Sequence, residues 1–250
     1  MNKQIVLVNH TSINHVGLEY QPIIDCVVNL LKDSLKEYLV EIRLLGSVPR
    51  GDAIPPYSDI DFLAVTRISN QQGLPQPHQT LLEDLCRRFP IVSKIDIQYM
   101  SEDDIDRHFD FKLIVMTDSI CVYGEDNYTV AEYSILNTEL ADLWNPNLDS
   151  IICNYRTALA SSLISKAEIV KYSRLTGKDM MKCFQRKILL DFGRIEKSIE
   201  KIYFNLVEHY PGYVALFDKL WKLYRYPTDD REAIVAIIEE CERTKNSILD

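Results

Sequence analysis

Two short stretches of the sequence decide the fold: residues 44–51, LLGSVPRG, and residues 57–63, YSDIDFL. In the first stretch, an apolar run ends at Gly46 and Ser47 follows it. A glycine at the end of a strand permits a tight turn and a close approach of a ligand to the backbone. A serine hydroxyl and free amides at the start of the next helix suit phosphate oxygens. The first stretch therefore predicts a strand, a turn and a phosphate-binding position.

The second stretch places two carboxylates on one strand. Because side chains alternate along a strand, Asp59 and Asp61 point to the same face, about 7 Å apart. Two acids on one face repel each other and are poor structural choices. They are good ligands for Mg²⁺, which proteins usually bind through few carboxylates together with substrate phosphates. Phe62 and Leu63 continue the strand into the core, so the pair is expected at the edge of a sheet.

A third acid, Asp96, lies in the alternating stretch formed by residues 93–99, SKIDIQY. Ile95 and Ile97 flank it and are expected to face the opposite side of that strand. An acid on a neighbouring strand can bind a metal ion and can also accept a proton from an attacking hydroxyl. Each of these features is common when it occurs alone. Together and in this order they predict a catalytic site.

The order Gly46-Ser47, eleven residues, Asp59-Ile60-Asp61 and a later Asp96 resembles the DNA polymerase β-like nucleotidyltransferase superfamily. The sequence looks most like its small bacterial members, which include aminoglycoside nucleotidyltransferases and minimal nucleotidyltransferases. The resemblance covers about residues 22–127. It implies an α+β fold, with a nucleotidyltransferase-type mixed sheet and flanking helices.

The resemblance also implies a role for each motif residue. Asp59 and Asp61 would bind Mg²⁺, with two ions expected, and Asp96 would be a metal ligand, the general base, or both. Gly46, Ser47 and Ser58 would form the contacts with the triphosphate, as those motif positions do in the family. The reaction implied is an in-line attack of an acceptor hydroxyl on the α-phosphorus of ATP or another NTP, which releases pyrophosphate.

Periodicity outward from the motif predicts two domains. Helices are expected over 22–38 and, beginning after residue 77, to about residue 89. Strands are expected over 39–45, 60–65, 91–99 and 120–123, with a further edge strand over 5–8. Beyond about residue 128 the strand pattern disappears, and helices are expected over 148–175, 178–210, 211–224 and 229–250. The interpretation is a nucleotidyltransferase catalytic domain, 1–127, followed by an all-helical domain, 128–250.

The charge of the chain is uneven. The formal net charge is −9; residues 1–150 carry 11 basic and 23 acidic residues, whereas residues 151–200 carry 10 and 5. An acidic protein repels a nucleic-acid backbone, so no long nucleic acid is expected as a partner. Lys178, Lys182 and Arg186 are spaced four residues apart and share one side of a helix. They are predicted to reach the nucleotide phosphates across an interdomain cleft; the alternative is a solvated helix face.

The remaining sequence features predict a cytoplasmic protein without a membrane span. No stretch approaches the roughly 20 consecutive apolar residues that a span needs. No long apolar run follows the first four residues, so no signal peptide is expected. The six cysteines are scattered without a CxxC pair, which is typical of separate reduced thiols.

Three functions remain open at this stage. The favoured hypothesis is transfer of a nucleotide, AMP from ATP, to a hydroxyl of a small acceptor such as an aminoglycoside-type antibiotic. An acidic cleft suits a cationic acceptor of that kind. The second hypothesis is nucleotidylation of a protein partner, as in toxin–antitoxin pairs. The third is a non-catalytic nucleotide-binding module, which the presence of all three aspartates disfavours. Oligomeric state, nucleobase preference and acceptor identity are not predicted.

Overall fold

A computed structural model of the chain describes residues 2–69 and 73–249. The chain divides into two compact units, one formed by Val6–Tyr133 and the other by Ser134–Asp250 with Met1–Ile5. The sequence-based boundary at residue 127, between a catalytic and a helical domain, stays a prediction.

The first part of the chain contains both helices and strands. In chain order they are β1 (Gln4–Val8), α1 (Gln21–Leu35), β2 (Leu39–Leu45), α2 (Ser47–Arg50), β3 (Ile60–Thr66), α3 (Gln79–Arg88), β4 (Ile95–Ser101), α4 (Glu102–Arg107), α5 (Phe109–Thr117) and β5 (Ser119–Tyr123). Thereafter helices dominate. They follow β6 (Glu132–Leu136) and are α6 (Asn137–Leu143), α7 (Leu148–Ala160), α8 (Lys166–Phe192), α9 (Ile199–His209), α10 (Val214–Arg225) and α11 (Arg231–Leu249).

The first unit is built on a four-stranded mixed sheet with strand order β4-β3-β2-β5. Strands β3 and β4 are parallel, whereas β2 is antiparallel to both β3 and β5. One face of the sheet packs its buried Ile42, Leu44 and Phe62 in a core with residues of α1 and α3. The opposite face contributes Leu45, Leu63 and Val65 to a second, smaller core with α4 and α5. Strands β2 and β3 alternate between these two cores.

Helix α1 covers one face because its apolar residues recur at helical spacing. Ile23, Val27, Leu31 and Leu35 are completely buried, and their spacing of four residues places them on one side. Pro22 stands in the first turn, where its missing N–H leaves no helical hydrogen bond unmade. The predicted helix over 22–38 therefore forms, although its last residues adopt a 3-10 turn.

The second unit is helical, but its helix boundaries differ from the prediction. Helix α7 ends at Ala160 and α8 runs without a break from Lys166 to Phe192, so the predicted helices over 148–175 and 178–210 are wrong in extent. A capping box between Ser165 and Glu168 starts α8, and Gly193, in the left-handed conformation, ends it. Gly177, inside α8, lies against the backbone of α10, where a Cβ atom would overlap.

Strand β6 corrects the prediction that no strand follows residue 128. It pairs with β1 in a two-stranded sheet. The Asn9 N–H donates to the Ala131 carbonyl at 2.9 Å beside this pair. In β6 only Ile135 is buried. A strand with so little apolar alternation forms because it pairs with another strand. Its local sequence therefore does not predict it. The predicted edge strand over 5–8 is present as β1.

Two further expectations concern the whole chain. Across residues 2–69 and 73–249, every helix is too short or too polar to span a bilayer. The six cysteines are all free thiols.

Candidate active site

The register of β3 and β4 brings the predicted acids onto one face of the sheet. Asp61 is the parallel partner of Asp96, so their side chains project from the same side of neighbouring strands. The ladder continues one step towards the start of both strands. The Ile60 N–H donates to the Lys94 carbonyl at 2.9 Å, and the Ser93 N–H donates to the Ser58 carbonyl at 3.0 Å. Asp59 and Lys94, between these bonds, therefore lie next to each other.

Alternation along both strands then places all four side chains together. Asp59 lies two residues before Asp61, and Lys94 lies two residues before Asp96, so each pair shares one face. The result is a two-by-two array of Asp59, Asp61, Lys94 and Asp96, here called the acidic face. It carries three carboxylates and one ammonium. It extends the sheet surface that bears Leu63 and Val65, at the end where β3 and β4 begin.

Lys94 provides the positive charge of the acidic face. Its ammonium donates to Asp96 Oδ2 at 2.9 Å, and the two side chains remain 59% and 45% exposed. The hydrogen bond to Asp96 raises the pKa of Lys94 above its usual range; burial opposes this rise, and the negative charges of Asp96, Asp59 and Asp61 add to it. The lysine therefore lies in the electric field of all three acids.

Gly46 lets the Asp61 carboxylate approach the turn that follows β2. Leu45, the residue before it, is the antiparallel partner of Asp61. Gly46 has a φ of 77°, and a Cβ atom at this position would lie 3.2 Å from Asp61 Oδ2. The backbone conformation favours glycine, and a side chain here would also push the Asp61 carboxylate away from the turn. The predicted Gly-Ser turn thus lies directly beside the acidic face, and the half-buried Ser47 begins α2.

An ion pair between Arg50 and Asp118 fixes this turn. The Gly46 N–H donates to the Asp118 carbonyl at 3.2 Å. The Arg50 guanidinium donates through Nη1 to both Asp118 carboxylate oxygens, at 2.9 and 2.7 Å, and through Nε to Asp52 at 3.3 Å. Asp118 thus holds the turn through its backbone and its side chain. No local sequence pattern points to Asp118, because its pairing with Arg50 spans 68 residues.

Ser58 is placed differently from what its predicted contact with phosphate suggests. It is buried, and its hydroxyl accepts a hydrogen bond from the Ile54 N–H at 2.8 Å. Its own N–H donates to the Ile54 carbonyl at 2.9 Å. These bonds stabilise the loop before β3 and so fix the position of Asp59. The predicted contact between Ser58 and a triphosphate stays a prediction.

The basic stripe of Lys178, Lys182 and Arg186 lies on α8, as its spacing predicts. All three residues are half-buried. Arg186 donates through Nε to the Ala141 carbonyl at 3.2 Å, so part of its donor capacity is used within the second unit. Whether any of the three binds phosphate stays a prediction.

A second charged cluster lies on the same sheet face, on β2 and β5. Arg43 and Glu41 are fully buried, and the guanidinium Nη1 donates to Glu41 Oε1 at 2.8 Å and to Asp126 Oδ1 at 2.9 Å. Its Nε donates to Ser119 Oγ at 2.8 Å, and its Nη2 donates to the Thr129 hydroxyl. This Arg43 cluster ties the loop after β5 to the centre of the sheet. Sequence analysis did not identify it.

Comparisons with known proteins bear on the fold. No protein-family model matches the chain, and no curated protein sequence matches it significantly. Among solved structures, the chain is similar to spectinomycin adenyltransferase AAD(9) from Enterococcus faecialis, crystallised with ATP and spectinomycin. The TM-score is 0.50 at 12% sequence identity, over 89% of this chain and 99% of the other. The chain has the fold of this adenyltransferase.

This similarity confirms the predicted fold class, a mixed α+β sheet with flanking helices and a helical C-terminal region. It extends well beyond residues 22–127, where the sequence resemblance ended. At 12% identity it concerns the course of the chain alone. The roles of individual residues depend on the geometry described above.

Proposed function

We propose that the chain is a nucleotidyltransferase that transfers AMP from ATP to a hydroxyl of a small antibiotic of the aminoglycoside type, releasing pyrophosphate. The acidic face carries this proposal, because Asp61 and Asp96 are in register on parallel strands and the Asp61 carboxylate lies against the Gly46 turn. A fold shared with a protein crystallised with ATP and spectinomycin supports it.

The residues of the acidic face have distinct tasks in this reaction. The acceptor hydroxyl oxygen attacks the α-phosphorus and forms a new P–O bond, while the bond from the α-phosphorus to the pyrophosphate oxygen breaks. The bonding electrons leave with pyrophosphate, and the hydroxyl proton passes to the Asp96 carboxylate. Asp96 suits this task because its side chain is half-buried on β4, at the edge of the sheet. It lies on a different strand from Asp59 and Asp61.

The acidic face also fits the divalent ion, Mg²⁺, that this reaction implies. Carboxylate oxygens are the donors that Mg²⁺ prefers, and the acidic face carries three carboxylates on two adjacent strands. Within residues 2–69 and 73–249, no three His, Cys, Asp or Glu side chains are grouped as a ready metal site. Asp59 and Asp61 would therefore hold the ion together with phosphate oxygens, and Asp96 would contribute to a second ion. A bound ion neutralises charge that develops on the phosphate.

The charge of the first 150 residues favours a cationic acceptor. These residues carry 23 acidic against 11 basic side chains, and a surface of one sign concentrates ligands of the opposite sign. Amino-sugar and aminocyclitol antibiotics carry several ammonium groups and several hydroxyls. They combine electrostatic attraction with the nucleophile that the reaction requires.

The proposal is tested by incubating the protein with ATP labelled in the adenine, Mg²⁺ and a panel of acceptors. The panel contains spectinomycin, other aminoglycoside-type antibiotics, neutral polyols and the proteins of a cell extract. We expect labelled adenylate on a cationic antibiotic, with release of one pyrophosphate for each product molecule. Labelled protein without labelled antibiotic would instead favour nucleotidylation of a protein partner.

The controls separate the acidic face from general effects of charge. Asp61→Asn is expected to abolish transfer. Asp33→Asn makes the same chemical change on the exposed surface of α1 and should retain full activity. If Asp61→Asn transfers adenylate at the wild-type rate, the proposed active site is wrong.

A further inference from the structure

The position of Lys94 creates a conflict within the proposed active site. Its ammonium lies 2.9 Å from Asp96 Oδ2, and Asp96 is the carboxylate that the reaction needs as a proton acceptor or as a metal ligand. The Lys94 ammonium therefore occupies one oxygen of the carboxylate that the reaction needs. While this contact is made, that oxygen is not available to a metal ion or to the acceptor hydroxyl.

A divalent ion and the ammonium compete for the same place. Like charges separated by a few ångströms repel, and the repulsion doubles when one of them is divalent. In the two-by-two array, Lys94 lies opposite Asp59 on the neighbouring strand. It also lies beside Asp96, which is two residues further along its own strand. An ion close to Asp96 would thus be within a few ångströms of the ammonium. One of the two cations has to move.

The Lys94 side chain can move, and a bound triphosphate would give its ammonium another anionic partner. Its side chain is 59% exposed, and lysine carries a compact charge on a flexible four-carbon stem. A triphosphate bound between the Gly46 turn and the acidic face would offer anionic oxygens to this ammonium. Exchange of Asp96 for phosphate would keep the lysine paired and would release the carboxylate.

We propose that Lys94 is a tethered counter-ion: its ammonium occupies Asp96 while nucleotide is absent and moves to the triphosphate when the metal–nucleotide complex binds. This inference rests on the proposed function. It assigns to Lys94 a phosphate contact from within the first unit, and it makes the availability of Asp96 dependent on bound nucleotide. The protein would then bind divalent metal weakly on its own and well in the presence of ATP.

The exchange predicts effects of opposite sign in two binding experiments. Lys94→Met removes the charge and keeps most of the apolar stem, whereas Lys94→Arg keeps the charge. Mn²⁺ binding without nucleotide, followed by electron paramagnetic resonance, should be tighter in Lys94→Met by about tenfold, because the Asp96 carboxylate is released and one repelling charge is gone. Binding of an ATP analogue with a methylene between the α- and β-phosphates, measured calorimetrically with Mg²⁺, should be about tenfold weaker in the same variant.

Further variants separate this mechanism from simpler effects. Lys112 also pairs with an aspartate in the first unit, at 2.7 Å from Asp106, so Lys112→Met controls for net charge and should change neither affinity. Lys94→Arg should bind both ligands more like the wild type than Lys94→Met does. In an Asp96→Asn background, Lys94→Met should lose most of its gain in Mn²⁺ affinity, because the released carboxylate is missing.

The two measurements decide between the outcomes. The proposal is overturned if Lys94→Met binds Mn²⁺ no tighter than Lys112→Met, if its nucleotide affinity is unchanged, or if neither protein binds Mn²⁺. Both assays omit the acceptor. If the two opposite shifts are found but no acceptor becomes adenylated, Lys94 retains its assigned role and the proposed transfer reaction is the part that fails.

Discussion

The Arg43 cluster and the acidic face lie on the same side of one sheet, but they differ in burial and in how their charges are compensated. Arg43 and Glu41 are fully buried, and every nitrogen of the guanidinium donates to a protein oxygen. On the acidic face, three carboxylates accompany one exposed lysine. A buried charge has to be compensated by the protein itself. An exposed excess of acids can be compensated by a ligand, which is why we place the proposed active site at the acidic face and not at the Arg43 cluster.

The largest effect on stability should follow from breaking the buried Arg43 cluster. Arg43→Met leaves Glu41 buried without its partner, and removing one member of a buried ion pair typically costs about 3–5 kcal/mol of unfolding free energy. Urea denaturation of the wild type and the variant measures this. Adding Glu41→Met, which removes the orphaned charge, should recover part of the loss. A loss below about 1 kcal/mol would show that the Arg43 cluster is not structural.

At the acidic face, the expected effect is on the rate and not on stability. Asp96→Asn should lower the transfer rate by about 10²–10⁴-fold at saturating Mg²⁺ if Asp96 accepts the acceptor proton. Its unfolding free energy should stay near that of the wild type, because the Lys94–Asp96 pair is exposed. Steady-state kinetics over a range of Mg²⁺ concentrations provides the test. Full recovery of the rate at high Mg²⁺ would leave Asp96 only a role in metal binding.

The basic stripe on α8 is the predicted source of further positive charge for the nucleotide phosphates. If a member of the stripe on α8 contacts the phosphates, its alanine variant should weaken binding of a non-hydrolysable NTP by about 1–3 kcal/mol. Calorimetry of Lys178→Ala, Lys182→Ala and Arg186→Ala tests each position. Arg186→Ala also needs a stability measurement, because it loses the bond to the Ala141 carbonyl. Wild-type affinity in all three would make the stripe a solvated face.

The smallest expected effect has the opposite sign to that of Arg43→Met. Asp61→Asn removes one of several neighbouring carboxylates, so its unfolding free energy should be unchanged or higher by up to about 1 kcal/mol. Thermal denaturation without metal gives the comparison, with Asp33→Asn as the reference. Destabilisation by more than about 1 kcal/mol would mean that this carboxylate is structural, and the contrast between the two clusters would disappear.

The acids of the site were readable from the sequence because their placement follows from local rules. Alternation within β3 fixes Asp59 and Asp61 on one face, and glycine with a following serine marks the end of β2. The Lys94–Asp96 pair was within reach too, since the residues are two apart on one strand. Its importance emerged only from the register with β3, which no local pattern specifies.

Other features depend on contacts between distant parts of the chain. Arg50 and Asp118 are 68 residues apart, and Arg43 and Thr129 are 86 apart. Strand β6 exists because β1 lies beside it. The boundary between α7 and α8 is different, because Ser165 and Glu168 form a capping box whose signature is visible in the sequence. At this boundary the capping box was overlooked, because the helical periodicity continues on both sides of it.

The pairing of β1 with β6 has a consequence for the order of events during synthesis. The four-stranded sheet has all its strands once residue 123 has left the ribosome, whereas β1 gains its partner only after residues 132–136 follow. The first strand of the chain is thus the last to be paired. Ile5 and Leu7, which are buried in the folded chain, therefore lie on a strand that has no hydrogen-bonding partner until then.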